Sequence, residues 1–427
     1  MKESLLSILE REVNPALGCT GPTSVSYVAA VAKDAIGGEE IKSVRIVMDK
    51  DGYKNSISVG IPGTELFGLE IAAALGAAAG KADAGLEVLK EVTPEDEKKA
   101  KDLLPSVKVD IKWDLDGVGL YNEAFVETEK GTGHAIVRKT HTNTVLKEAN
   151  GEILFQSEAD GSQEKIDYSR DSIRQYRVKD FYEFAKSEPL KNLLFLKEAI
   201  NLNGELAHKG FESRLGSGFG FAYQKFDDQT FIRRAKAIAA AAADARMAGL
   251  NLPAMSCATS GNVGITASIP LAVVAEELKK DEEELIRSIA LSFLLVIYLK
   301  SHIGRLSAIC ACSIASSLGI TAGTVLLYGG EYRCVEMAIS SVIGSIGGIL
   351  CDGAKYGCAL KLANAVDVAI EAAVLAVKHD TSIKPGDGLV GYSADESIES
   401  IGRIAQEGMV KTDEVMARAI IERESRR

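Results

Sequence analysis

The period of apolar and polar positions changes along this chain, and each change marks a change of element. Over residues 1–35 the period is helical on both sides of a break at Asn14-Pro15 and Gly18-Cys19-Thr20-Gly21-Pro22, which predicts two helices separated by a loop that carries Cys19. From Ile41 the apolar residues alternate, in Val44-Arg45-Ile46-Val47-Met48 and in Ser56-Ile57-Ser58-Val59, on either side of the turn dipeptide Asp51-Gly52. That pattern reads as a strand pair. Helices are expected at about 66–80 and at 94–104. Residues 106–156 alternate again, as in Val107-Lys108-Val109-Asp110-Ile111 and Ala135-Ile136-Val137-Arg138, with Gly-rich or Asn-Gly turns between the runs. Past about residue 165 the period is helical almost to the end. Small residues grow dense from 235 onward, as in Ala239 to Ala243, and they let helices approach closely.

This succession predicts an α+β fold, an N-terminal mixed α/β-sheet domain followed by a large all-helical C-terminal domain that carries most of the cysteines. The expected division is 1–40 (N-terminal helices and the Cys19 loop, packing on the helical domain), 41–220 (α+β) and 221–427 (helical). The boundary falls at the break Gly216-Ser217-Gly218-Phe219-Gly220, loops are expected at 256–264, 344–353 and 384–391, and no internal repeat is visible.

Composition narrows the partners. With 49 basic and 60 acidic residues the net charge is −11, and no basic run is present, which argues against a nucleic-acid partner and for a small-molecule substrate. A homo-oligomer stays open. The longest apolar run, Ile289 to Leu299, is broken by Ser292 and bounded by Arg287 and Lys300. It is shorter than the ~20 residues that span a bilayer and reads as a buried helix, so no membrane association is expected. The N-terminal Met1-Lys2-Glu3-Ser4-Leu5-Leu6 starts a charged amphipathic helix without the apolar core of a signal peptide, so a cytoplasmic location is expected.

Seven cysteines in a reducing compartment suggest ligands or buried thiols before disulfides, and five of them lie from Cys310 to Cys358 (Cys310, Cys312, Cys334, Cys351, Cys358). Cys351 and Cys358 stand seven apart. In an unbroken helix they would be about 10 Å apart along the axis, at roughly 1.5 Å per residue. Asp352-Gly353 is a turn signal, however, and a chain folded there brings both thiols to one point, with Ala and Gly leaving room for a metal or an iron–sulfur cluster. Cys310 and Cys312, two apart, point to nearly opposite faces of a helix at about 100° per residue, so at most one joins them, and Cys310 is preferred because it follows the break at Gly304-Arg305-Leu306-Ser307. Three thiolates leave one iron of a cluster open to act as a Lewis acid. Zinc is a poorer occupant, since the close C-x₂₋₄-C pair of structural sites is missing and His302 is the only nearby histidine.

Cys19 precedes a helix, where exposed N–H groups and the dipole lower a thiol's pKa, so it is a candidate reactive thiol or a small filler in a tight turn. Thr259-Ser260-Gly261-Asn262-Val263-Gly264 is rich in small donors and suits a carboxylate or phosphate, with Ser260, Gly261 and Asn262 as candidate substrate contacts. A similar string occurs in pyridoxal-phosphate enzymes of the cysteine-synthase type, but Lys225 and Lys236 lie in nothing resembling their lysine motif and the strand–helix alternation is missing. Val59-Gly60-Ile61-Pro62-Gly63-Thr64 offers backbone donors to an anion or is a plain turn, His141 is a candidate base or a surface histidine, and Lys355 and Lys361 are within reach of a substrate carboxylate or are solvated.

Taken together these motifs resemble the iron–sulfur L-cysteine desulfidase family, related to the oxygen-sensitive bacterial L-serine dehydratases. The resemblance spans nearly the whole chain and rests on Pro15-Ala16-Leu17-Gly18-Cys19-Thr20, Lys54-Asn55-Ser56 with Val59 to Thr64, Ala72-Ala73-Ala74-Leu75-Gly76, Ser260-Gly261-Asn262, Ile303-Gly304-Arg305-Leu306-Ser307 and Gly348 to Lys361. It implies a 4Fe–4S cluster on Cys351, Cys358 and one of Cys310 and Cys312, and Cys19 as a catalytic thiol. The implied reaction breaks L-cysteine into sulfide, pyruvate and ammonia without pyridoxal phosphate. The alternatives are dehydratase-like action on another β-substituted amino acid and a non-catalytic iron–sulfur protein. Two positions depart from the family pattern, Gly21 where Glu is expected and Val263 where a polar residue is expected, and both are expected in loops that touch substrate, so they bear on substrate identity more than on the cluster.

Overall fold

The structure, a computed structural model, describes residues 3–18, 20–64, 66–113, 115, 120–157, 171–304, 306–424 and 426. The N-terminal part runs α1 (Leu5–Glu12), β1 (Val13–Leu17), α2 (Thr20–Ile36), β2 (Ile41–Asp49), α3 (Lys50–Ser56), α4 (Leu69–Ala79), α5 (Pro94–Leu103), β3 (Val107–Lys112), β4 (Leu120–Thr128), β5 (Gly131–Lys139), β6 (Thr144–Ala149) and β7 (Glu152–Gln156). The rest runs α6 (Val178–Ser187), α7 (Leu190–Leu193), α8 (Lys197–Glu212), α9 (Phe219–Tyr223), α10 (Phe231–Met247), β8 (Pro253–Cys257), α11 (Gly261–Glu277), α12 (Glu282–Ile303), α13 (Ala311–Leu327), α14 (Tyr332–Ile346), α15 (Cys358–His379), α16 (Ala394–Arg403) and α17 (Val410–Glu424). The fold is α+β, as the periodicity predicts.

Six strands form one sheet in the order β3-β2-β4-β5-β6-β7. The β2–β3 pair is parallel, with α3 to α5 in the connection, and the other neighbours are antiparallel. Alternation buries Val44, Ile46 and Met48 of β2 with Ala124 and Val126 of β4 and Ala135 and Val137 of β5, and α2 and α4 close over that face with Val28, Ala29, Ala72 and Leu75. The contact is close enough that a Cβ on Gly133 of β5 would stand 1.9 Å from the Ala32 carbonyl oxygen of α2.

The expected second strand at 56–59 does not form. Asp49 ends β2, and its carboxylate accepts the Gly52 N–H at 2.7 Å, so the chain enters α3 instead. A local cap decides here against four residues of alternation. The break predicted at Asn14-Pro15 is β1, which pairs antiparallel with β8 from Val13↔Cys257 to Leu17↔Pro253. The loop expected at 256–264 is shorter, because α11 starts at Gly261, and the one at 344–353 starts after Ile346.

In the helical part α10, α11, α13 and α15 pack on one another through small side chains, among them the buried run Ala239 to Ala243. The helix α12 is long and apolar enough to cross a membrane, yet 94% of its apolar window is buried inside the fold. The last helix returns to the sheet region: Ile421 packs on the sheet core, Ala417 and Ile420 are buried, and the Arg418 guanidinium lies 4.3 Å over the Trp113 ring.

His302, near the end of α12, is buried with its Nδ1 accepting from Arg174 Nη2 at 2.9 Å. Burial, with Arg174 and Arg177 beside it, pushes its pKa down to about 4. An unfolded chain takes up a proton near pH 6.5 that the folded chain refuses until about 4. This residue's contribution is therefore full above pH 6.5 and is lost as the pH falls toward 4, by about 3 kcal/mol at roughly 1.4 kcal/mol per unit. Chemical denaturation at pH 7 and pH 4.5 is expected to show a smaller pH-dependent loss for His302→Gln than for the wild type, and equal losses would refute this assignment.

Candidate functional site

Two chain segments far apart in sequence are stitched together around the thiols. The Cys310 N–H donates to the Ile349 carbonyl at 2.8 Å, the Cys351 N–H donates to the Ala308 carbonyl at 2.7 Å, and Ile309 and Leu350 form an antiparallel bridge between them. This sets Cys310, the residue capping α13, beside Cys351. The chain then passes through Gly353, whose φ of +88° suits glycine and whose missing Cβ would stand 2.1 Å from the Lys54 carbonyl oxygen. It reaches Cys358, the first residue of α15, whose Sγ accepts from the Lys355 N–H at 3.4 Å and donates to the Gly353 carbonyl at 3.6 Å. The reversal expected at Asp352-Gly353 falls slightly later, as a bend at Ala354 and a turn at Tyr356-Gly357 closed by the Cys358 N–H on the Lys355 carbonyl at 3.0 Å, with Cys310 as the third neighbour.

The thiols influence one another as neighbours do. Cys310 is within hydrogen-bonding reach of both Cys312 and Cys351, and the Cys312 contact leads the causes that push its thiol up to about 11. Cys351 is raised by its bond to Cys310 and by burial, with Lys54 opposing. Burial, then the nearby Cys310, pushes Cys358 up to about 12. At neutral pH all three are thiols, and a cation is needed before they ionise together. Cys312, one helical step inside α13, has its Sγ 3.7 Å from Ser260 Oγ. The described residues contain no three His, Cys, Asp or Glu side chains drawn around one point as a single metal ion demands. The remaining described thiols are elsewhere: Cys257 is buried in β8, and Cys334 packs on the helical core from α14.

Between β8 and α11 the chain makes a tight turn in which Cys257 and Ser260 exchange both backbone hydrogen bonds, at 3.2 and 3.1 Å. Its central residues, Ala258 (φ +47°) and Thr259 (φ +67°), are in the left-handed region, where a β-branched residue is rare and each non-glycine residue costs on the order of 1 kcal/mol. Strain of this kind concentrates at functional sites. Three groups meet the turn: Lys300 Nζ donates to the Ala258 carbonyl at 2.6 Å, Ser260 faces Cys312, and Arg246 Nη1 donates to Asn262 Oδ1 at 3.0 Å. Arg246 also holds the Gly18 carbonyl through Nη2 at 2.6 Å, which ties the residue before Cys19 to this turn. Cys19 and Arg305 themselves lie outside the described residues.

The sheet region contributes His141 from the β5–β6 turn. Its carbonyl accepts from Ser24 Oγ at 2.8 Å, and Ser24 Oγ in turn accepts from Asn122 Nδ2 at 2.8 Å. The residue is half-buried, and burial and the Lys300 ammonium push its pKa down to about 4. It is a neutral imidazole at pH 7, able to accept a proton. The site therefore lies where the β5–β6 turn, the start of α2, the 257–262 turn and the thiol loop come together.

Other candidates have different work. Lys361 binds the Leu350 carbonyl at 3.1 Å and pairs with Asp352, so it braces the thiol loop, and Lys355 Nζ donates to the Lys54 carbonyl at 2.6 Å. Gly60 and Gly63 give their N–H groups to the carbonyls of Met247 and Gly249 rather than to an anion. The two departures from the family pattern are not in loops. Gly21 lies in the first turn of α2, where a Cβ would stand 2.3 Å from Ser56 Oγ, and Val263 lies in α11, fully buried in the helical core. Sequence reasoning missed Arg246 and Lys300. Their signal was a charged residue at the end of a long apolar or alanine stretch, the position where a buried helix meets a polar site.

The family model described as "Serine dehydratase alpha chain" matches residues 83–418. A UPF0597 protein of Clostridium tetani is 39% identical over 98% of each chain, one of Caldanaerobacter subterraneus subsp. tengcongensis is 39% identical over 96% of each, and one of Clostridioides difficile is 36% identical over 96% of this chain and 97% of its own.

Proposed function

The chain belongs to the serine dehydratase alpha chain family, and on that premise we propose that it is an iron–sulfur lyase that removes the β-substituent of a small L-amino acid, with L-cysteine, giving sulfide, pyruvate and ammonia, as the substrate. The observation that carries the reading is the meeting of Cys310 with the segment that bears Cys351 and Cys358, through the Ile309–Leu350 bridge. The donor set fits a cluster in kind: soft thiols on two stretches of chain that the Ile309–Leu350 bridge joins. Cys310, Cys351 and Cys358 would hold it, and Cys312, beside Cys310 and Ser260, is the alternative third thiol. When bound, a cluster with one iron free of protein ligands supplies a Lewis acid for the departing β-substituent.

The chain's own groups supply the rest. The N-terminus of α11, with Ser260, Gly261 and Asn262, offers donors and a positive dipole end to the substrate carboxylate. The neutral His141 imidazole accepts a proton from the reacting amino acid, and burial, with the Lys300 ammonium nearby, keeps that imidazole unprotonated in the free enzyme. Cys19, the candidate catalytic thiol, follows a residue fixed by Arg246. Elimination of the α-proton and the β-substituent leaves aminoacrylate, which tautomerises and hydrolyses to pyruvate and ammonia.

The family description favours a second reading in which L-serine is the substrate and water the leaving group. Anaerobic assay with both amino acids separates the two. Sulfide, pyruvate and ammonia in equal amounts from L-cysteine, at a kcat/KM above that for L-serine, is the expected outcome. Faster turnover of L-serine supports the second reading, and no turnover of either refutes the proposed reaction.

A further inference from the structure

A fully buried charge lies behind the thiol loop. Lys54 of α3 has no solvent exposure, and its ammonium is paired with Asp413 of α17 and stands 3.6 Å from Asp51 Oδ1. Lys50, also buried, lies 3.5 Å from Asp413 Oδ2 and 3.5 Å from Asp51 Oδ2. A buried ion set of this size is costly to desolvate and is held only where its partners are fixed. Neither α3 nor α17 is near the thiols in sequence, yet both ends of Lys54 reach them. Its carbonyl accepts from Lys355 Nζ at 2.6 Å and lies against Gly353, so closely that a Cβ there would stand 2.1 Å away. Its ammonium lies within electrostatic range of the Cys351 thiol.

We propose that Lys54 is a positioning residue for the thiol loop: Asp413 of the C-terminal helix clamps its ammonium, its carbonyl seats Gly353 and Lys355, and α17 thereby acts as a latch that holds Cys351 and Cys358 in register with Cys310. The inference rests on the iron–sulfur reading only for what the loop holds, since the latch acts on the polypeptide whether or not iron is present. It gives α17 a role that no chemistry-bearing residue of its own would suggest. It also explains a buried charge cluster spanning the sheet region and the C-terminus, where an apolar contact would be the cheaper way to dock a helix.

Hydrogen exchange on the anaerobically purified full-length protein tests it, with Asp413→Asn, Lys54→Met, Lys54→Arg and the exposed-site control Lys411→Gln. Loss of the latch is expected to raise amide exchange across 351–358 at least about tenfold in Asp413→Asn and Lys54→Met, with α13 unchanged. The same two variants are expected to lose iron to a chelator several-fold faster, Lys54→Arg to recover part of both properties, and Lys411→Gln to match the wild type. Unchanged exchange in 351–358, or a uniform rise across every helix, would overturn the proposal. If the wild type takes up no iron at all, the cluster reading falls while the exchange result still decides for or against the latch.

Discussion

Cys358→Ser is expected to retain the fold and lose elimination activity by on the order of a thousandfold, about 4 kcal/mol of barrier. The thiol is buried at the first residue of α15, packs in an apolar cluster with Val59, Ala240, Ala243 and Met247, and has the Lys355 N–H and the Gly353 carbonyl as hydrogen-bond partners that a hydroxyl can keep. A serine there keeps both hydrogen bonds but removes a soft ligand. Stability is expected to change by no more than about 1–2 kcal/mol. Cys334→Ser is the matched control, since that thiol packs against the helical core from α14 and is expected to leave turnover within about twofold. Equal losses in the two variants, measured as sulfide release under anaerobic conditions, would show that cysteine replacement harms the protein generally and not through the site.

His141→Gln is expected to lower kcat by 10²- to 10⁴-fold with KM changed little, the range of a lost general acid or base. Glutamine keeps the size and polarity of the turn, and the backbone contact from Ser24 does not involve the imidazole. With its pKa pushed down to about 4, the wild-type imidazole is a base throughout the neutral range, so the acidic limb of kcat/KM is expected near pH 4 and not near the ordinary histidine value of about 6.5. That limb is expected to vanish in the variant. An unchanged kcat would remove His141 from the reaction.

How much of this is legible in the chain differs by element, for physical reasons. Long amphipathic or apolar helices announce themselves, and α4, α5 and α12 lie where their periods predict. The α3 helix does not, because its start is fixed by the Asp49 cap against a short alternating run. The β1–β8 pair is decided by contacts across more than half the sequence, which no local pattern contains. At the site, a reversal between Cys351 and Cys358 can be read from the local signal Asp352-Gly353, although the bend and turn themselves fall at Ala354 and Tyr356-Gly357. The neighbourhood of Cys310 and Cys312 is different: helical geometry sends their side chains apart, but α13 begins only after Cys310, so the rule for an unbroken helix does not govern the pair. Lys54, Arg246 and Lys300 act through groups remote in sequence, and their roles emerge only when the sheet and helical regions meet. The positions of Gly21 and Val263 teach the same lesson: each departs from the family pattern at a spot that packing governs.

The central claim is that Cys310, Cys351 and Cys358 together hold an iron–sulfur cluster. Its most direct test is iron and acid-labile sulfide per chain, with the visible absorbance, of anaerobically reconstituted wild type beside a variant in which all three are serine. The account predicts about four irons and four sulfides with a broad visible band in the wild type, and neither in the variant. Equal iron in both proteins, or a colourless, iron-free wild type, would contradict it.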